Sequence, residues 1–438
     1  MNETNPPLSK LVVVMVGLPA RGKTYIARKV SRYLNWLGHR SRIFNVGNYR
    51  RQMVGANQPS EFFDPDNIVF TKQRTELADL AMQDMLAWLQ RGGDDGSVEG
   101  SLLLSMGDLT ERGTISRSSS ITTPASSGAG VGGPSCIALY DATNSTKERR
   151  EMILNQCQNE GIKVMFIESI CDDQQIILNN IKEVKLTSPD YKDCEEEAAI
   201  RDFQRRILQY EKSYETLSIE EGQGKISFVK LSNVGSQVIV NNVRGYLQSR
   251  IVYFLMNLNI TPRSFFISRH GESMFNVDQR IGGDSSLSPR GMAFASKLPG
   301  ILKDKVDPQN TLTIWTSTLK RTIQTASQTP YQKLQWKQLD ELDSGVCDGL
   351  TYEEIEAQYP LDFVERDNDK FNYRYHGGES YRDLVHRLEP VILELERHHE
   401  PDRLIYICAH QAVVRAIYAY FHNISHENLP YIKVLLLT

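Results

Sequence analysis

The stretch "VVVMVGLPARGKTYIARK" limits what this chain can fold into more than any other. A continuous apolar run, Leu11–Val16, stops at Gly17, and helical spacing takes over from Lys23 to Leu37. Such a run reads as a strand buried on both faces, as in a parallel sheet. Between strand and helix, "GLPARGKT" (Gly17 to Thr24) fits the spacing GxxxxGK[ST]. Glycines there let backbone N–H groups turn inward around phosphate oxygens, and the helix start adds partial positive charge. Lys23 is expected to reach the β- and γ-phosphates of a nucleotide, and Thr24 to ligate Mg²⁺. A glycine-rich turn arising by chance seldom sits between a buried strand and a helix.

The alternation continues. Ser41–Val46, Cys136–Tyr140 and Lys163–Ile167 read as strands; Thr75–Leu89 and Thr146–Glu160 read as helices. This predicts an α/β domain, a parallel sheet with helices on both faces. Lys225–Leu231 reads as its last strand and Val238–Leu258 as one long helix, with Pro262 just beyond. A second α/β series follows. Its strands are expected at Ser264–Ser268, Thr311–Thr316 and Leu404–Cys408. Its helices are expected around Arg290–Leu302, Thr318–Ala326, Tyr352–Gln358, Tyr381–His398 and Gln411–Phe421. Two domains are therefore expected, residues 1–260 and 261–438. From about Arg91 to Ser135 glycine and serine dominate, a composition that cannot bury enough apolar surface to offset ordering entropy. A disordered insertion is expected there.

A nucleotide site of this kind also needs an acidic residue at a neighbouring strand end. "IALYDATNST" supplies Asp141. An aspartate in that place often only caps a helix, but Ser145 or Thr146 is better placed to do so. That leaves Asp141 for magnesium or for an attacking hydroxyl. Arg50, Arg51, Arg74, Arg149, Lys185 and Arg206 lie near element ends, where a phosphorylated acceptor needs cations. Most arginines in such a chain are solvated surface residues, and composition alone does not single these out.

The second series carries a different chemistry. In "FFISRHGES" a strand runs into Arg269 and His270. A histidine at a strand end is commonly structural. It becomes a phosphoryl acceptor when one ring nitrogen is tied to a carbonyl and the other is free. "YICAHQAVVR" is a second strand ending in a histidine, His410, with Gln411 and Arg415 on the following helix. "IWTSTLKRTIQTA" brings Arg321, and "QLDELDSGVCDG" brings Glu341. Together these read as one phosphate pocket. His270 is the expected nucleophile, and Glu341 the general acid and later the base. Arg269, Arg321 and His410 are expected to stabilise the transferring phosphoryl group, with no metal required.

Bulk properties exclude several classes. A net charge of −4 over 438 residues rules out a polycation for nucleic acid or membrane. No apolar run reaches membrane-spanning length, and no secretory leader is recognised. The six cysteines show no CxxC pair, so neither a zinc site nor a disulfide framework is indicated. The expected compartment is the cytoplasm.

The second half resembles the histidine phosphatase and phosphoglycerate mutase superfamily through "SRHGES" and "AHQAVVR". The first half resembles a P-loop kinase. In this order the pair resembles the 6-phosphofructo-2-kinase/fructose-2,6-bisphosphatase family. Long strings carry the likeness, among them "GLPARGKTYIARK", "FNVGNYRR", "DATNSTKERR", "SPDYKDC", "RIGGDSSLSPRG" and "DSGVCDGLTYEEI". It covers nearly the whole chain outside Arg91–Ser135 and the extreme C-terminus. The resemblance implies two opposed activities. A kinase makes fructose 2,6-bisphosphate from fructose 6-phosphate and ATP with Mg²⁺; a phosphatase returns it through a phosphohistidine.

By matching strings, the resemblance implies nucleotide contacts at Gly17, Leu18, Pro19, Ala20, Arg21, Gly22, Lys23, Thr24, Tyr25, Asn180 and Lys185. It implies kinase sugar contacts at Arg50, Arg74, Thr143, Arg149, Lys185, Arg206 and Tyr210. For the phosphatase it implies Arg269, His270, Asn276, Gly282, Arg321, Glu341, Tyr352, Arg366, Lys370, Tyr381, His410, Gln411 and Arg415. Cys171 matches a family cysteine near the nucleotide, although a small buried residue accounts for it equally well. A homodimer is expected by family. A protein kinase acting on Ser118–Ser120 of "ERGTISRSSSITTP" is a further expectation, set against a neutral low-complexity insertion.

The chain closes at "VLLLT", where the family continues with a further strand and a regulatory tail, so a less stable phosphatase half is expected. Little precedes the first strand, so no N-terminal regulatory arm is expected. Two alternatives stay open: a kinase-dominant enzyme with weak phosphatase, and a metabolite-sensing scaffold with vestigial sites. The intact Lys23, Thr24, Asp141, His270, Glu341, His410 and Arg321 argue against the scaffold.

Overall fold

The structure, a computed structural model, describes residues 9–94, 135–185, 189–191, 195–260, 264–397 and 402–435. Nearly all of the Gly/Ser-rich insertion lies outside the described residues, Ser118–Ser120 included. The chain divides into two compact units: residues 1–31 with 39–249, and residues 32–38 with 250–438.

The first unit is built on β1 (Lys10–Val16), the start of α1 (Lys23–Trp36), β2 (Arg40–Asn45), α2 (Val46–Met53), α3 (Ile68–Gln90), β3 (Cys136–Asp141), α4 (Lys147–Asn159) and β4 (Lys163–Ile170). It continues with α5 (Gln174–Asn180), α6 (Glu196–Glu211), β5 (Phe228–Ser232), β6 (Gln237–Asn241) and the start of α7 (Tyr246–Met256). The sheet order is β2-β3-β1-β4-β5-β6. Every pairing is parallel except β5 with β6. Six of the seven β1 residues are buried because β3 and β4 flank it and helices cover both faces. One core joins Val12, Val14 and Val16 to Phe44, Met85, Trp88, Tyr140 and Phe166.

The expected helix 238–258 is corrected. Its first part is β6, antiparallel to β5, and the helix starts only at Tyr246. The β-branched triplet Val238, Ile239, Val240 suits a pleated edge. Asn242 at φ 46° and Gly245 at φ 109° then break the chain before the helix.

The second unit holds β7 (Phe265–Arg269), α8 (Met274–Val277), α9 (Pro289–Lys305), β8 (Thr311–Thr316), α10 (Lys320–Ala326) and β9 (Gln332–Gln335). After these come α11 (Tyr352–Gln358), α12 (Pro360–Asn368), α13 (Tyr381–Arg397), β10 (Arg403–Ala409) and α14 (Gln411–His422). Its sheet runs β7-β10-β8-β9, all parallel. Phe294, Leu298 and Leu302 on α9 pack against Leu312, Ile314, Tyr406 and Cys408. In both units the candidate residues follow the carboxyl ends of strands, where an open α/β sheet leaves a crevice.

Candidate active sites

In the first unit the loop from Gly17 to Gly22 joins β1 to α1. Gly17 stands at φ 133°, and a Cβ there would lie 2.5 Å from the Ser169 carbonyl oxygen, so only glycine fits. Its N–H donates to the Thr143 carbonyl at 3.0 Å. Ala20 also takes a left-handed turn, φ 59°. Two side chains brace the loop from outside. The Ser169 hydroxyl donates to the Arg21 carbonyl, and Asn180 Nδ2 donates to the Ala20 carbonyl at 3.1 Å. The Lys23 ammonium is buried and donates to the Leu18 carbonyl at 2.6 Å. Tyr25 is partly exposed on the first turn of α1.

Asp141, at the end of β3, is 2% exposed. Its Oδ2 accepts from Thr24 Oγ1 at 2.8 Å and from Asn45 Nδ2 at 2.5 Å. Thr146 caps α4 by accepting from the Arg149 N–H, so Asp141 is free of that duty. Asn45 escaped the sequence reading. It caps α2 through Oδ1 while its amide holds Asp141, and only the position of Asn45 before "VGNYRR" hints at it.

Beyond Asp141 lies a basic and aromatic cluster. Arg206 stacks on Phe63 and Tyr191, each 4.8 Å from the ring centroid, and Arg50 stands over Phe63 at 5.7 Å. Tyr210 packs on Phe63 at 5.8 Å. Burial raises the Tyr210 phenol, while Arg74, Arg50 and Arg206 oppose the rise and Thr143 hydrogen-bonds to it. Each cation is held in place by protein oxygens. Arg50 pairs with Asp190 at 2.5 Å, Arg206 with Asp202 at 2.8 Å, and Arg74 donates to the Phe62 and Asp64 carbonyls. Arg149 is engaged with Asp79 at 3.0 Å and with the Tyr140 hydroxyl. The Lys185 side chain lies outside the described residues.

In the second unit a cavity of about 510 Å³ gathers Arg269, His270, Asn276, Gly282, Arg321, Glu341, Tyr352, Arg366, Lys370, Tyr381, Gln411 and Arg415. His270 is buried, and its Nδ1 meets the Gly271 carbonyl at 2.7 Å. A carbonyl only accepts, so Nδ1 carries the proton and Nε2 keeps its lone pair. Arg321 Nε stands 3.2 Å from that Nε2 and 3.2 Å from His410 Nδ1. A guanidinium only donates, so His410 Nδ1 accepts and His410 Nε2–H donates to Ser317 Oγ at 2.8 Å. Burial, then the Arg321 charge, push His270 down to about 3, and the same causes hold His410 well below its ordinary value. Both rings are therefore neutral near pH 7.

The Glu341 carboxylate accepts from the N–H groups of Leu342, Gln411 and Ala412 at 3.0–3.2 Å, which places it at the start of α14 beside His410. Gly282 is required: at φ 69° a Cβ would meet Asp348 Oδ1 at 1.7 Å. Asn276 closes a capping box with Ser273 on α8. A second group of cations lines the same cavity. Arg366 donates to the Tyr375 hydroxyl at 2.9 Å and to Tyr352 at 3.3 Å; Arg415 donates to Tyr381 at 3.0 Å. Burial, Arg366 and Arg415 push Lys370 down to about 8. Ser317 and Tyr375 were missed by sequence reasoning; "TSTLKR" and "NYRYHGG" are the only traces they leave.

The model for 6-phosphofructo-2-kinase matches residues 2–99 and 132–262, and that for the histidine phosphatase superfamily (branch 1) matches residues 265–437. The 6-phosphofructo-2-kinase/fructose-2,6-bisphosphatase 4 of Rattus norvegicus is 46% identical over 424 residues, 96% of this chain and 80% of the relative. The chain belongs to the 6-phosphofructo-2-kinase/fructose-2,6-bisphosphatase family. The human family member numbered 3 is 45% identical over 434 residues, covering 98% of this chain and 73% of its own. A relative from Saccharomyces cerevisiae, named fructose-2,6-bisphosphatase, is 46% identical over 431 residues, 98% of this chain and 85% of the relative. Among the described residues no helix is long and apolar enough to cross a membrane.

Proposed function

We propose that this chain runs both family reactions, one in each unit. The first makes fructose 2,6-bisphosphate from fructose 6-phosphate and ATP; the second hydrolyses it to fructose 6-phosphate and phosphate. The observation that carries the reading is a pair of complete constellations, Lys23–Thr24–Asp141 in one unit and His270–Arg321–His410–Glu341 in the other.

In the kinase, the backbone from Gly17 to Thr24 wraps the ATP phosphates and Lys23 turns from the Leu18 carbonyl to the β- and γ-oxygens. Thr24 Oγ1 and Asp141 Oδ2, 2.8 Å apart, are the oxygen donors that would hold magnesium. A cation held there would supply positive charge to offset that building on the transferring phosphoryl group. Asp141 also orients the 2-hydroxyl of fructose 6-phosphate. Arg50, Arg74 and Arg206, with Tyr210, Thr143, Arg149 and Lys185, receive the sugar phosphate, which replaces Asp190 on Arg50.

In the phosphatase, His270 Nε2 attacks the 2-phosphorus. The phosphorus–oxygen bond to fructose breaks, and the departing oxygen takes its proton from Glu341 acting as general acid. Arg269 and Arg321 donate to the transferring oxygens, and His410, whose Nδ1 accepts from Arg321, orients that guanidinium. Glu341 then takes a proton from water, whose oxygen attacks phosphorus and frees His270. Asn276, Gly282 and Gln411 line the reacting end. Arg366, Lys370, Arg415, Tyr352 and Tyr381 hold the 6-phosphate. These steps use side chains alone. The cytoplasm is the compartment of both substrates in this reading. A homodimer, and a protein kinase acting on the serine-rich segment, belong to the same reading by family likeness.

Fructose 2,6-bisphosphate labelled with ³²P at the 2-phosphate should label His270 transiently in a rapid-quench experiment. Turnover without any labelled histidine would refute the phosphohistidine route.

A further inference from the structure

Arg387, on α13, is not among the residues that line the substrate cavity, yet its guanidinium donates to three carbonyls of one short loop. Nη1 donates to the Gln338 carbonyl at 2.7 Å and the Asp340 carbonyl at 3.1 Å. Nη2 donates to the Asp340 carbonyl at 3.1 Å and the Glu341 carbonyl at 3.3 Å. The fork is itself fixed by Glu379, with Nε to Oε1 at 2.7 Å and Nη2 to Oε2 at 2.9 Å. Glu379 joins the loop further along, accepting from the Asp343 N–H at 3.1 Å and donating its own N–H to the Asp343 carbonyl at 2.8 Å. From the opposite side the Asp340 carboxylate takes the N–H and hydroxyl of Thr318, both at 2.8 Å, just past β8.

The loop that carries Glu341 is thus pinned from two elements, and its side chain reaches the start of α14. A loop left to itself samples many backbone conformations, and a displacement of about 1 Å at a reacting group can cost about 100-fold in rate. We propose that Arg387 is a positioning residue for the phosphatase, holding the Glu341 backbone so that its carboxyl meets the departing sugar oxygen. This rests on the assignment of Glu341 as general acid. A planar fork with five donors can hold three carbonyls and a carboxylate at once. A lysine in its place keeps the charge and loses the geometry.

The test exploits the leaving group. The fructose oxygen needs a proton as it departs; 4-nitrophenolate does not. In single-turnover experiments on the full chain, Arg387→Lys should slow phosphoryl transfer to His270 from fructose 2,6-bisphosphate by about 10- to 100-fold. Transfer from 4-nitrophenyl phosphate should change by less than about two-fold, since no general acid acts on it. Glu341→Gln should show the same selectivity with a larger loss, and the double variant should lose little more than Glu341→Gln alone. Glu379→Gln, which loosens the fork but keeps the arginine, should act like a milder Arg387→Lys and serves if that variant does not fold. If Glu341→Gln is selective while the Arg387 and Glu379 variants slow both substrates equally, or neither, positioning is refuted and the general acid stands. If Glu341→Gln is itself unselective, both assignments fall.

Discussion

The His270 and His410 rings lie 5.1 Å apart with Arg321 against both. Two neutral imidazoles beside a guanidinium carry a cost in acid. His270 has a folded value of about 3 against 6.5 unfolded, so the unfolded chain binds the extra proton. The stabilisation is complete above pH 6.5 and is lost as pH falls toward 3, about 2 kcal/mol between pH 7 and pH 5 from His270 alone. Urea unfolding of the full chain, followed by hydrogen exchange at β10 and α14 amides, should show protection falling over that range. His270→Gln should flatten the dependence; an unchanged slope would mean that His270 is protonated in the native state.

Lys370 gives a second prediction at the same scale. Its value of about 8 means that it loses its charge as pH rises through 8. Phosphatase kcat/KM should therefore decline above pH 8, and Lys370→Met should lower the plateau and remove that limb. Neither value was legible in sequence, because each depends on burial and on arginines distant along the chain.

At the scale of elements, legibility tracked local pattern. Thr311–Thr316 and Tyr352–Gln358 read correctly to the residue, since period and punctuation agreed. The sequence left the α4 cap open between Ser145 and Thr146, two small hydroxyl residues side by side, and Thr146 takes it. Thr146→Ala should cost about 1 kcal/mol of first-unit stability and leave the phosphatase rate unchanged. A loss of phosphatase activity alone would contradict that placement. The region 238–258 misled because valine and isoleucine satisfy a helical period and an edge strand alike. Helices α6 and α12 went unread, their apolar faces being interrupted by charged residues.

At the scale of the molecule, the two sites differed in legibility. The phosphatase cleft was nearly complete in sequence. Its reacting groups follow strand ends, and a parallel sheet gathers strand ends at one edge. The kinase acceptor side was not, because Arg50, Arg74 and Arg206 meet only through the 60–64 turn and α6, which no motif announces. Asn45, Ser169, Ser317 and Arg387 share that invisibility: each acts through another residue's backbone or side chain.

The account stands on two separate sites working in opposite directions on one chain. The most direct measurement takes kinase and phosphatase rates on the same preparations of wild type, Lys23→Ala and His270→Ala. Lys23→Ala should abolish synthesis of fructose 2,6-bisphosphate and leave its hydrolysis at the wild-type rate; His270→Ala should do the reverse. Loss of both activities in either variant, with the fold intact, would contradict the two-site account.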